Sequence, residues 1–339
     1  MNKLLVLSSD DVPVGNELVP ELALGLVSDS RQAMEMMMAA ILLAMCLCGV
    51  SLAQEVSDAA AILPVGKVEE VKAGFTFTEG PAWSQDGSLF FTDIPNAKIH
   101  QLFEHRNTVG TFTSESGHAN GVLVDASGRM LVCQMDGRVV QYDTKTAQYR
   151  ILADKYEGKR FNAPNDLIVD KSGGIYFTDP LFRAPQPLPQ GIQAVYYIHP
   201  DGTVKRLTGN IPAPNGIGLS PDGKRLYVIP SRQAEMLVYD VKEPGKIVNG
   251  RTFCRLKQPP GKDNTGGDGM VVDVKGNLYI TTNLGVEIFS ASGKHSGLVT
   301  FPQQPANVTF GGVERKTMYV TARTGLYRVE MPIAGLKPN

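Results

Sequence analysis

The chain has 339 residues, 33 basic and 34 acidic side chains and a net charge of −1, so no field draws it to nucleic acid or to an anionic membrane surface. Its 35 glycines and 22 prolines call for frequent turns. Without an N-terminal segment, roughly 285 residues remain, large for one domain unless it is a barrel or a propeller.

Residues 1–35 contain no convincing element and carry Asp10, Asp11, Glu17, Glu21 and Asp29. From Met36 to Gln54 there is no charge, and Ala39 to Val50 is a continuous apolar or glycine run. Arg31 precedes it and the small residues Ser51 and Ala53 follow, the pattern of a secretory signal peptide cleaved near Ala53. Residues 1–53 are therefore expected to be an extension and signal peptide, with natural translation starting among Met34 to Met38 and the mature protein secreted or periplasmic. An uncleaved anchor is the alternative reading, although the run is at the short limit for spanning ~30 Å of hydrocarbon. Residues 54–64 read as a linker.

Val65 to Phe75 reads as a strand with no hairpin partner. After it a single sentence recurs six times: a polar opening residue, an alternating strand, a turn and a returning apolar strand. The openings are Glu79, Asn120, Asn165, Asn215, Asp268 and Asn307, spaced by 41, 45, 50, 53 and 39 residues. A glycine falls eight positions after five of them (Gly87, Gly128, Gly173, Gly223, Gly276); the last copy has Arg315-Lys316 in its turn instead. A period of ~40–50 residues built from β-hairpins marks a propeller with one four-stranded blade per repeat. The fold expected is all-β, a six-bladed β-propeller over residues 65–331 with a tail at 332–339. The last copy supplies only three strands, so the strand at 65–75 is assigned to complete it and close the ring. Cys133 and Cys254 lie in different repeats and are expected to be buried and unpaired.

Topology then puts the openings at one mouth of the axial tunnel, on the same rim as the loops after each second strand. Those loops carry Asp93 to Asn96, Gln134 to Asp136, Ser231-Arg232, Thr282-Asn283 and Arg323-Thr324. The longest, Pro180 to Gly191, is stiffened by proline and expected to arch over the mouth. Taken singly, each Asn-Gly reads as a turn former. Taken together, two carboxylates and four carboxamides converge with no cysteine or histidine, which suits a hard divalent cation, Ca²⁺ before Mg²⁺. The alternative is a polar, water-filled tunnel. Asp166 is read as holding the strand start or Asn165, not as a ligand. No Gly-x-Ser-x-Gly elbow and no His-Glu-x-x-His is present, and Gly218 to Lys224, which imitates a phosphate loop, is the turn of the fourth repeat.

Glu-Gly-Pro before Trp83, Pro164-Asn165-Asp166 ahead of Phe177-Thr178-Asp179-Pro180, Pro214-Asn215-Gly216, and Asp268-Gly269-Met270 resemble the SMP-30/gluconolactonase family over about Phe75 to Val329. The resemblance implies a divalent ion at the tunnel mouth and hydrolysis of sugar lactones or related esters. By motif, Glu79, Asn215 and Asp268 match metal ligands, Asn165 a residue at metal and substrate, and Asp268 also the proton donor or acceptor. His118 departs from the family pattern before Asn120. The expected enzyme is thus a calcium-dependent lactonase or esterase, with Mg²⁺, Mn²⁺ or Zn²⁺ as other ions for the site. Asp268 is the expected base, with His118 as the alternative, and Asn120, Asn165, Arg183, Arg232, Asn283 and Arg323 are expected to touch substrate. A non-catalytic calcium-binding propeller that binds a sugar or a protein partner, and an arylesterase or phosphotriesterase on the same site, are the competing readings. The expected partner is a small lactone or ester. No nucleic acid is expected, nor any membrane after signal cleavage, and the protein is expected to be a monomer.

Overall fold

The computed structural model describes residues 62–209 and 211–339; the expected signal peptide and most of the linker lie outside the described residues. Among the described residues, each of the first five repeats forms one antiparallel four-stranded sheet, the sixth supplies three strands of another, and these six four-stranded sheets are the blades. The first begins at Thr78–Trp83, the second at Ala119–Val124, the third at Leu167–Val169, the fourth at Pro214–Leu219, the fifth at Met270–Val272 and the sixth at Pro305–Gly311. Second strands such as Ser88–Asp93 and Ile175–Asp179 are buried along their whole length, whereas outer strands such as Thr108–Thr113 keep partial exposure. A strand covered on both faces by neighbouring blades has no solvent side to alternate with, so Leu89-Phe90-Phe91 and Ile175-Tyr176-Phe177 are unbroken apolar runs, and the threonine and aspartate that end each strand are buried on hydrogen bonds.

The core follows the same geometry. There is one apolar cluster for each of the six interfaces between neighbouring blades. Between the second and third blades, Leu131, Cys133 and Val139 meet Phe177, Ala194 and Tyr196, with Phe161 edge-on to Tyr196 at 5.2 Å. Cys133 and Cys254 are both buried and free.

The ring closes as expected. Glu69–Ala73 pairs antiparallel with Gly325–Glu330, from Glu69 opposite Arg328 to Ala73 opposite Gly325 with a register shift between Glu70 and Lys72, and supplies the fourth strand of the last blade. The tail after Met331 crosses the far mouth of the tunnel. Leu336 N–H donates to the Val272 carbonyl at 2.9 Å, and Asn339 Nδ2 donates to the Val169 carbonyl at 3.0 Å. Only a small cavity of about 90 Å³ remains at that end, walled by residues such as Val122, Ile217 and Met270.

Candidate functional site

The open mouth holds a cavity of about 640 Å³. Five of the six openings line it: Glu79, Asn120, Asn165, Asn215 and Asp268. Arg183, Arg232 and Asn283 join them from the rim loops, and Phe77, Ile94, Met135 and Phe182 form an apolar wall. Arg323 does not line the cavity. Its guanidinium donates to Gln304 and lies 5.3 Å from the centre of the Phe77 ring. His118 also lies off the lining, in the left-handed region at φ 51°, with Nδ1 2.9 Å from Asp136 Oδ1. The Pro-rich loop does arch over the mouth, because Phe182 and Ala184 pack on the cluster of Ile94, Met135 and Ala163.

What holds the openings in place differs from the turn-former reading. Asn215-Gly216 lies inside the strand Pro214–Leu219, and Asn120-Gly121 inside Ala119–Val124. Each glycine is there because a neighbouring blade's backbone passes against it. Gly216 N–H donates to the Asp268 carbonyl at 2.9 Å, and Gly121 N–H to the Asn165 carbonyl at 2.7 Å. A methyl group on either would stand 2.6 Å from that same carbonyl oxygen. Buried threonines add a second stitch: Thr92 Oγ1 donates to the Asn120 carbonyl at 3.2 Å and Thr178 Oγ1 to the Asn215 carbonyl at 2.8 Å. The aspartates of the two Phe-Thr-Asp sequences clasp the chain leading into the mouth. Asp93 Oδ1 accepts from Phe77 N–H at 3.0 Å, and Asp179 from Asn162 and Ala163 N–H at 2.8 and 2.7 Å.

Acidic charge is concentrated in the floor. Burial pushes the Glu79 carboxyl well above the usual range and Asp268 adds repulsion, against a 2.9 Å hydrogen bond from Gly80 N–H. Burial likewise raises Asp268 to about 7, opposed by the Asn215 amide and by Arg323. Asp166 is a third carboxylate in the tunnel, raised by burial to about 7 although Leu167 N–H and the Asn307 side chain both bond it. Asn307, the sixth opening, turns inward and bonds Glu79 and Asp166 instead of lining the cavity. Sequence spacing could not distinguish it from the other five.

The hydrogen bonds of Asn215 are unequal. Its Nδ2 donates to Asp268 Oδ1 at 2.6 Å and to Ser231 Oγ at 3.0 Å, while its Oδ1 is buried with no partner. An orphaned buried acceptor is costly, on the order of 1–3 kcal/mol. Among the described residues no three His, Cys, Asp or Glu side chains group so as to hold a metal. What converges here is two carboxylates with carboxamide oxygens, a hard-oxygen donor set.

Residues 77–324 match the model of the family described as "SMP-30/Gluconolactonase/LRE-like region". A gluconolactonase of Zymomonas mobilis is 31% identical over 301 residues, covering 81% of this chain and 84% of the relative. A pentonolactonase of Haloferax volcanii is 26% identical over 257 residues, 73% of this chain and 81% of the relative. The solved structure of a gluconolactonase from Xanthomonas campestris superposes with a TM-score of 0.74 at 29% identity, over 80% of this chain and 92% of that one. With a matching family model over most of its length, the chain belongs to the SMP-30/gluconolactonase/LRE-like family.

Proposed function

We propose that this protein hydrolyses sugar lactones at the open mouth, with a divalent cation, calcium first, held by Glu79, Asn165, Asn215 and Asp268. The lactonase relatives support the reaction class. The observation that carries the cation is the buried, unpartnered Asn215 Oδ1 beside two carboxylates that burial has raised. A cation is the group that would satisfy all three at once. When bound, it supplies Lewis-acid polarisation of the lactone carbonyl.

The side chains supply the rest. Asp268 Oδ1 is engaged by Asn215, which leaves Oδ2 to take a proton from water as the water oxygen attacks the carbonyl carbon. Asp268 then returns that proton to the ring oxygen as the ring C–O bond breaks, giving the open hydroxy acid. Phe77, Met135 and Phe182, which line the cavity, offer the ring an apolar wall that limits stray water. The test is a panel of sugar lactones, aryl esters and phosphotriesters with and without a chelator. Lactones should turn over fastest, lose their rate with chelator and regain it with calcium. Hydrolysis that persists undiminished in chelator, or no lactone hydrolysis with calcium added, would refute the reading.

The raised carboxyls also set a pH dependence of stability. A carboxyl whose folded pKa lies above its unfolded value stabilises the fold at low pH and loses that contribution as pH rises through the folded value. Without cation, Asp268 and Asp166 should therefore cost stability progressively between about pH 4 and about 7. Calcium should raise Tm more at pH 8 than at pH 5; equal increments at both would show that the cation does not sit on these groups.

Ser231 decides which atom Asn215 presents. Its single hydroxyl proton goes to the Gly267 carbonyl at 2.9 Å, so towards Asn215 it can only accept. Asp268 also accepts, so both amide protons are committed and Oδ1 is left for the cation. Ser231→Ala should weaken calcium binding about 10–100-fold by calorimetry, and Ser231→Thr should restore most of it.

A further inference from the structure

The charges lining the mouth do not balance once the floor is neutralised. Two carboxylates, Glu79 and Asp268, and two guanidiniums, Arg183 and Arg232, are the charged side chains on the cavity wall. A divalent cation on the carboxylates leaves both arginines uncompensated. Among the described residues neither makes an ion pair, a hydrogen bond or a ring contact, unlike Arg323, which is occupied by Gln304 and Phe77.

Their placement is also built. Arg183 sits between Phe182 and Ala184, both packed on the cluster under the Pro-rich loop, and it takes the left-handed conformation at φ 57°. Glycine would hold that turn at lower cost, so the backbone gives no reason for an arginine there. The loop is fastened further along, where Gln190 Nε2 donates to the Lys159 carbonyl at 2.7 Å. Arg232 follows Ser231, whose N–H donates to the Ala213 carbonyl at 2.9 Å and whose hydroxyl is tied to Gly267.

We infer that Arg183 and Arg232 form a subsite for an anionic oxyacid group on the substrate, so that the preferred lactone carries a carboxylate or phosphate at the end of its chain away from the reacting carbonyl. This rests on the lactonase reading and specifies its substrate. Guanidinium forks match such groups in a bidentate manner that a hydroxyl cannot use. A cavity of about 640 Å³ lies within the ~300–1,000 Å³ of small-molecule pockets and leaves room beyond one lactone ring for the group to reach the rim.

The test compares D-glucono-1,4-lactone with D-glucaro-1,4-lactone, which differ only in a terminal hydroxymethyl against a carboxylate, and adds a 6-phosphorylated gluconolactone. The charged lactones should exceed the neutral one about tenfold in kcat/KM, mostly through KM. The better of the two identifies the anion. In Arg183→Gln/Arg232→Gln that ratio should collapse towards one, and salt should erode it in the wild type. A wild-type ratio near one, or equal losses on all three lactones in the double variant, overturns the subsite. If no lactone turns over, the reaction class has failed instead, and calorimetry still reads the subsite. Glucarate should then bind about tenfold tighter than gluconate, and no difference between them would overturn it.

Discussion

Asp268→Asn is expected to cost about 10²–10⁴-fold in kcat/KM, the usual worth of a positioned general base, and to weaken calcium binding at the same time. The substitution is nearly isosteric, so the loss is chemical. It removes one of the two carboxylates on the cavity wall and leaves Asn215 Nδ2 a neutral amide oxygen in place of the carboxylate oxygen it reaches at 2.6 Å. Steady-state kinetics with saturating calcium, alongside calorimetry, separates the two contributions. Unaltered calcium affinity would remove Asp268 from the ligand set, and an unaltered rate would remove it as base. The pH profile adds an internal control. His118 lies off the cavity lining and is tied to Asp136, so His118→Ala should keep the acidic limb of kcat/KM. A hundredfold drop with calcium still bound would transfer the role of base to the imidazole.

Gly216→Ala should both destabilise the fold and weaken calcium binding, although it adds a single methyl group. The added Cβ would stand 2.6 Å from the Asp268 carbonyl oxygen, where backbone cannot yield without separating the fourth and fifth blades. It also threatens the 2.9 Å hydrogen bond from Gly216 N–H that sets Asp268 beside Asn215. Overpacking of this kind costs about 1–3 kcal/mol. A chain of this size loses about 2 °C of Tm or less per kcal/mol. Ala at Gly223, whose turn has open space around it, is the comparison: its positive φ of 73° brings only local strain, with no effect at the mouth. Calcium binding should fall in the first variant and hold in the second. If Gly216→Ala melts and binds calcium like the wild type, the close approach is not what positions the site.

The architecture was legible in the sequence because a propeller repeats its local physics. Every blade needs an apolar second strand and a tight turn, so length, register and the six openings could be read before any contact was known. The missing strand of the last repeat was legible for the same reason, since an incomplete blade leaves an edge to be filled. Local pattern could not distinguish members of the same register. Asn215 and Asn307 occupy equivalent positions, yet one turns its carbonyl to the cavity floor while the other bonds Glu79 and Asp166 below it. Nor could it explain the glycines, which read as turn formers but are required by a neighbouring blade some 50 residues away in the chain. Membership in the ring and one polar mouth followed from sequence alone. Which oxygen is orphaned, which carboxyls are raised and which arginines stand unpaired depended on side chains from different blades meeting at the axis, and only the tertiary structure decides those distances.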